Sequence, residues 1–206
     1  MGARIDKTVI SGVFSLDGQD FDVDNNVWLV GDDTQVLVID APHRPEPIVE
    51  AVGGREVAGI VLTHGHNDHI TAAVALREAV DAPIWFPAAD RMLWDMVYGA
   101  SQPAADPDRD LTQGTEFRIA GSTLRALHTP GHSPGSTCLY SADLNTVFTG
   151  DTLFCGGPGA TGRSFSDKPT ILTSIRSKLL TLHGDTVVRT GHGDDTTIAA
   201  ELRTVH

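Results

Sequence analysis

The sequence predicts an α+β protein built from two β-sheets packed face to face with helices outside, and three observations carry that prediction. Strand-like runs fall in two clusters along the chain, each broken by single helical segments, the pattern expected when helices cover the outer faces of stacked sheets. No short-period repeat and no linker divides the 206 residues, so a single domain over 1–206 is expected. Hydrophobic residues make up 40% and charged residues 20%, a globular composition, and a chain of this length can bury roughly 70% of its unfolded surface.

Taken in order, Thr8 to Phe14 and Asn26 to Val30 read as strands, and Gly31-Asp32-Asp33 as a turn into a third, Gln35 to Ile39. Pro42, Pro45 and Pro47 punctuate its exit, and Ile48 to Val52 form a short helix ended by Gly53-Gly54. The apolar run Val57 to Leu62 is a buried strand, followed by an alanine-rich helix over Ile70 to Val80. Pro83 to Phe86 is a short strand and Ala88 to Tyr98 a helix whose stripe of Met92, Leu93, Met96 and Val97 packs in the core. Ser101 to Asp110, rich in Pro, Ala and Asp, reads as a surface loop. The second cluster comprises Glu116 to Ile119, Thr123 to Leu127, Thr137 to Tyr140 and Thr146 to Phe148. An amphipathic helix over Pro169 to Leu182 turns Ile171, Leu172, Ile175, Leu179 and Leu182 inward. Thr186 to Arg189 is a last strand and Thr197 to Leu202 a frayed helix.

A formal charge of -12 with only 15 Lys and Arg residues, none in a basic run, argues against a nucleic-acid partner, whose affinity rests on cations neutralising phosphates. Two cysteines, Cys138 and Cys155, suggest neither a disulfide framework nor a thiolate zinc site. With no apolar leader segment and no run of about 18 apolar residues, a membrane partner is not expected and the cytoplasm is the expected compartment.

The chemistry concentrates directly behind the strand Val57 to Leu62, where His64, His66, Asp68 and His69 fall within six positions. At a strand exit residues two apart can point the same way, so His64 and His66 can grip one ion, while Asp68 and His69, at the turn into a helix, can face a second. Three later strands end in a glycine followed by a metal-capable residue: Gly131-His132, Gly150-Asp151 and Gly191-His192. Seven side chains are too many for one tetrahedral ion but suit two if one carboxylate bridges. The expected arrangement sets His64, His66 and His132 on the first ion, Asp68, His69 and His192 on the second, and Asp151 between them. Nitrogen and oxygen donors without thiolate fit two Zn2+, with iron or manganese also accommodated. Asp40 is a candidate for orienting a ligand histidine or for capping a turn. His43, His128, His183 and His206 read as surface or local structure.

The run Thr-His-Gly-His-Asn-Asp-His at 63–69, with His132, Asp151 and His192 following in order, resembles the metallo-β-lactamase superfamily, and Phe148-Thr-Gly-Asp-Thr-Leu-Phe154 resembles its glyoxalase II branch. The resemblance runs from about Asn25 to His192 and implies a four-layer αββα sandwich with a dinuclear metal site at one edge. It implies a metal-dependent hydrolase acting on the thioester of a small thiol. A water between two cations has its pKa brought toward neutrality, Asp68 orients it, and a thiolate leaving group needs little protonation.

Glyoxalase II proteins place a basic residue, then a tyrosine two positions on, against glutathione; here Arg163 matches the former and Phe165 replaces the latter. Arg163 is therefore expected to anchor a substrate carboxylate, with Phe165 beside it. The chain stops 14 residues after His192, which leaves no room for a C-terminal glutathione-binding helical domain and suggests a different small-thiol carrier. Persulfide dioxygenases and lactonases resemble the same motif and stand as alternatives, the former with one iron and the latter often with a tyrosine near the metals, for which only Tyr98 and Tyr140 exist. A non-enzymatic scaffold would be expected to have lost ligands, and none of the seven is missing.

Overall fold

Residues 2–205 are described by a computed structural model. Strand β1 (Arg4–Leu16) and strand β2 (Gln19–Gly31) form a long antiparallel hairpin, paired from Arg4 opposite Gly31 to Leu16 opposite Gln19. Asp17 and Gly18, both at positive φ, make its two-residue turn, the Asp-Gly signature of a tight hairpin. The sequence reading confined these strands to Thr8 to Phe14 and Asn26 to Val30. The distal part of the hairpin, acidic through Asp20, Asp22 and Asp24, is held by pairing rather than by burial, so apolar alternation did not reveal it.

Strand β3 (Gln35–Ile39) pairs antiparallel with β2, and the chain then crosses through helix α1 (Glu46–Val52) to strand β4 (Glu56–Val61), parallel to β3. Parallel neighbours need such crossovers. Helix α2 (Asn67–Ile70) and helix α3 (Ala73–Val80) follow where one helix over Ile70 to Val80 was expected. The break has a cause in the fold: Ala41, just past β3, receives the N–H of Ala72 at 3.0 Å and donates its own N–H to the carbonyl of His69 at 2.9 Å. Strand β5 (Ile84–Phe86), a 3-10 turn (Ala88–Asp90) and helix α4 (Arg91–Tyr98) come next. The stretch expected to be only a loop ends in a two-residue strand, β6 (Arg109–Asp110), pairing with Trp85 and Phe86 as a short charged edge. The first sheet thus runs β1-β2-β3-β4-β5-β6.

The second sheet begins as an antiparallel meander of β7 (Glu116–Ile119), β8 (Ser122–His128), β9 (Thr137–Ser141) and β10 (Thr146–Gly150). A small hairpin of β11 (Leu153–Phe154) and β12 (Gly157–Pro158) leads to helix α5 (Lys168–Ser174). The predicted helix over Pro169 to Leu182 widens after Ser174 into a π turn (Ile175–Leu179), closed by Leu180 N–H on the Ile175 carbonyl at 2.9 Å. Strand β13 (Val187–Thr190) lies parallel to β10, with β14 (Thr196–Thr197) and helix α6 (Ile198–Glu201) beyond, so this sheet runs β14-β13-β10-β9-β8-β7.

Three apolar layers hold these elements. Trp28, Leu37, Ile39 and Val61 of the first sheet meet Phe117, Leu124, Leu139 and Phe148 of the second. Behind the first sheet, Val36, Val38 and Ile60 pack against Ile48, Leu76 and Trp94 from the helices. Behind the second, Val147 and Val188 pack against Ile171, Ile175, Leu179 and Ile198. The architecture is the expected helix-sheet-sheet-helix sandwich. The expectation for His206 lies outside the described residues. No helix among the described residues is long and apolar enough to cross a membrane.

Candidate metal centre

Both sheets contain a parallel pair, β3 with β4 and β10 with β13, and all four of these strands end at one edge of the sandwich. Side chains just past carboxyl ends of parallel strands share a crevice, where α/β proteins place their ligands. Asp40 follows β3, His64 and His66 follow β4, and Asp68 and His69 ride on α2. His132 comes from the β8–β9 loop, Asp151 from the end of β10 and His192 from the end of β13.

The structure brings all seven predicted ligands together. His66 Nδ1 stands 3.1 Å from His64 Nε2 and 2.9 Å from His132 Nε2. His192 Nε2 stands 3.2 Å from His69 Nε2 and 3.3 Å from Asp68 Oδ2. Asp151 reaches both groups, with Oδ1 at 3.2 Å from His69 Nε2 and Oδ2 at 3.4 Å from His192 Nε2 and 3.6 Å from His132 Nε2. Three sets of donor atoms are mutually close enough to hold an ion: His64, His66 and His132; Asp68, His69 and His192; and His64, His69 and Asp151. Gly191 is needed for this crowding, since a Cβ there would lie 2.3 Å from Asp151 Oδ1 and 2.9 Å from His69 Cε1.

The donor set fits divalent cations. Three imidazole nitrogens converge there, and because His132 Nδ1 donates to the Ala160 carbonyl at 2.9 Å, a neutral His132 turns its Nε2 lone pair toward His66 Nδ1, the orientation in which it can ligate a shared cation. Asp68 Oδ1 and Asp151 Oδ1 are buried without a hydrogen-bond partner. Asp151 Oδ1 does lie within ion-pair distance of His69 Nε2, an electrostatic contact without hydrogen-bond geometry.

Electrostatics split the cluster in two. Burial, reinforced by neighbouring His69, keeps His64 neutral by pushing its pKa well down, and burial with His132 lowers His66 to about 3. On the other side burial opposes charge on His69 and His192 but is outweighed, chiefly by Asp151 and Asp68, so His69 is raised well above its usual range and His192 to about 10. Burial alone would raise Asp151, yet His69 and His192 hold it well below the usual carboxylate range.

Behind the candidate ligands stand residues that the sequence reading named and others that it missed. Asp40, the candidate for orienting a histidine, contacts His69 Nδ1 at 2.9 Å. Asn25 was missed: its Nδ2 donates to Asp68 Oδ2 at 3.1 Å, and its Oδ1 accepts from His43 Nε2 at 2.8 Å. His43, read as surface or local structure, is thus half-buried support for the site. Asp90 was also missed; burial pushes its carboxyl above the usual range while bonds from Ser133, Gly135 and Gly65 pull it back. Polar residues that interrupt an apolar strand, such as the buried pair Asn25 and Asn26, were the available signal for the first of these.

A cavity of about 510 Å³ opens over the cluster, floored by His66, Asp68, His132, Asp151 and His192 and walled by Phe14, Val23, Phe154 and Ala160. Arg163 and Phe165 lie outside its lining. The Arg163 guanidinium donates to Gln19 Oε1 at 2.9 Å and stacks 4.5 Å over Phe21, while Phe165 is exposed at a φ of 69°. Tyr98 points away too, its hydroxyl donating to the Ile70 carbonyl at 2.6 Å and the Thr71 carbonyl at 2.9 Å.

Comparison with known proteins agrees with this geometry. The family model described as the metallo-beta-lactamase superfamily matches residues 21–192. A probable metallo-hydrolase of Bacillus subtilis, YqgX, is 37% identical over 188 residues, covering 86% of this chain and 88% of its own. The hydroxyacylglutathione hydrolase GloC of Haemophilus influenzae is 34% identical over 190 residues, covering 86% and 90%. Among solved structures, TTHA1623 in a di-iron-bound form superposes with a TM-score of 0.76 at 34% identity, covering 88% of this chain and 94% of that one. The BLEG-1 B3 metallo-beta-lactamase superposes with a TM-score of 0.75 at 28% identity, covering 95% and 98%.

Proposed function

We propose that this chain, which belongs to the metallo-beta-lactamase superfamily, is a dinuclear metallo-hydrolase that cleaves the thioester of a small acyl-thiol. The observation that carries the reading is the pair of donor trios joined by Asp151 on the floor of one cavity. In this proposal His64, His66 and His132 hold one ion, Asp68, His69 and His192 the other, and Asp151 bridges. Nitrogen and oxygen donors favour zinc, and the same set accommodates iron or manganese. Bound at these trios, two divalent cations would supply a water of lowered pKa and a Lewis acid for a carbonyl oxygen.

The chain's own residues supply the rest. Asp68, whose Oδ2 is held by Asn25 Nδ2 at 3.1 Å, lines the cavity floor and would orient the attacking water there. Phe14, whose ring lies 5.2 Å from that of His66, and Phe154, 6.1 Å from His192, wall the floor with apolar surface and limit competing water. A thiolate leaving group needs no general acid, consistent with an apolar wall. The similarity to GloC supports a thioester substrate. Arg163 is proposed to bind a carboxylate of the thiol carrier, exchanging its neutral partner Gln19 for a charge-assisted pair, with Phe165, two positions on, proposed to contact the same carrier. The acidic chain is proposed to act in the cytoplasm, without nucleic-acid or membrane partners.

The deciding experiment is a panel of acyl thioesters on different small thiols, run on zinc-loaded protein beside acyl-homoserine lactones, a β-lactam and a persulfide with oxygen uptake recorded. Thioester turnover above all other classes is expected. Faster opening of a lactone or β-lactam, or oxygen consumption with one iron bound, overturns the assignment.

A further inference from the structure

A buried carboxylate that the proposed mechanism does not use lies behind the first donor trio. Asp90, fully buried at the end of the 3-10 turn before α4, takes hydrogen bonds from three donors. Its Oδ2 accepts from Gly65 N–H at 2.8 Å and from Ser133 Oγ at 2.6 Å, and its Oδ1 accepts from Gly135 N–H at 2.6 Å. Gly65 separates His64 from His66, and Ser133 adjoins His132. One carboxylate therefore fastens together the two loops that carry all three histidines.

Both loops are shaped to receive it. A Cβ on Gly65 would stand 2.8 Å from Asp90 Cβ, and one on Gly135 would stand 2.6 Å from Asp90 Cγ, so each glycine is the residue that lets the backbone close on the carboxylate. Asp40 bears on the His64 side of this trio through Thr63, whose hydroxyl it accepts at 2.9 Å and which lies 3.1 Å from His64 Nδ1. Among the described residues it makes no hydrogen bond to the loop that carries His132; its other side-chain partner is His69. We propose that Asp90 is a positioning residue that sets the separation of His64 and His66 from His132, and hence the affinity of that trio for its ion. The proposal rests on the reading that this trio holds an ion.

Asp90→Asn tests it, because an amide in either orientation turns its N–H2 toward at least one N–H donor and breaks the three-way acceptance while conserving volume. Co2+ titration followed by its visible absorption is read in two backgrounds. His192→Ala leaves the first trio intact, and His66→Ala leaves the second. Asp90→Asn is expected to weaken Co2+ binding about tenfold in the His192→Ala background and by less than about twofold in the His66→Ala background, as for partners standing behind ligands. Equal losses in both backgrounds, or no loss in the first, overturn the positioning role. A His192→Ala parent that binds no Co2+ instead overturns the ion assignment itself, so the two failures are distinguishable. Should Asp90→Asn not fold, Ser133→Ala removes one donor and keeps the carboxylate; a smaller loss confined to the same background is expected, and its absence overturns the proposal.

Discussion

Asp40 Oδ2 lies 2.9 Å from His69 Nδ1, with the Asp40 side chain 3% exposed and that of His69 wholly buried. The contact fixes the ring so that Nε2 faces Asp151 and His192. Asp40 also accepts the Thr63 N–H on Oδ1 at 2.7 Å and the Thr63 hydroxyl on Oδ2 at 2.9 Å, which ties the start of the ligand loop to the end of β3. Asp40→Ala is expected to lower zinc affinity at the Asp68, His69 and His192 trio by about 10- to 100-fold, the usual cost of losing a carboxylate behind a ligand histidine. Leaving the buried Thr63 N–H unpaired adds about 1–3 kcal/mol of destabilisation. Chelator competition reads the first and thermal melting of the apo-protein the second.

His43 extends this support to Asp68 through Asn25. A Cβ at Gly12 would fall 2.2 Å from His43 Nδ1, so the bare backbone of β1 is what lets the imidazole lie against the strand. Gly12→Ala and His43→Ala should therefore have the same effect, a fall in turnover by about tenfold with Asn25 and Asp68 released, and no additivity in the double variant, as expected for groups acting through one contact. Steady-state kinetics on the best thioester checks this. Additive losses would mean that Gly12 and His43 act separately.

The seven residues were legible as metal-capable side chains following apolar runs. The fold brings them to one edge, with His64, His66, Asp151 and His192 just past strand ends, Asp68 and His69 on α2 and His132 in the β8–β9 loop. Asn25, His43 and Asp90 were not legible, for a shared physical reason. Their importance lies in contacts across 18, 25 and more positions of sequence, such as His43 with Asn25 and Asp90 with Gly65, and no local pattern encodes those pairings. The same limit applies to the fold. Apolar runs located the sheets, whereas the acidic distal hairpin and the edge strand β6 depend on backbone pairing with little burial. The break between α2 and α3 depends on Ala41, 31 residues before the Ala72 it binds.

The two cysteines should differ sharply in reactivity. Cys155 is exposed, whereas Cys138 is buried and its thiol is pushed up by that burial to about 11. Near pH 8 the native chain should take up one alkyl group, at Cys155, and two only when unfolded, since the thiolate is the reactive form. Mass spectrometry after iodoacetamide counts them. The raised folded value also fixes the sign of a stability effect. Below the ordinary thiol pKa both states keep the proton and nothing changes; as pH rises from there toward about 11 the unfolded chain ionises first and stability falls. Cys138→Ala should remove this thiol's share of the alkaline loss and leave that of Tyr98, whose phenol is also raised by burial. Equal labelling of both thiols in the native chain would contradict the burial of Cys138.

Tyr98 makes the sharpest test of where the site ends. Its hydroxyl bonds the carbonyls of Ile70 and Thr71 at the end of α2, and its ring packs against Trp94 with centroids 4.5 Å apart. Burial pushes the phenol up to about 12. A tyrosine so placed braces the helix that carries Asp68 and His69 and points away from the cavity above the His and Asp cluster. Tyr98→Phe should therefore cost about 1 kcal/mol of stability, the net value of one hydrogen bond, while thioester turnover stays within about twofold of the parent. Denaturant unfolding and steady-state kinetics on the same samples give both numbers. A large fall in kcat with unchanged stability would place the hydroxyl in the reaction and revive a lactonase-like role for it.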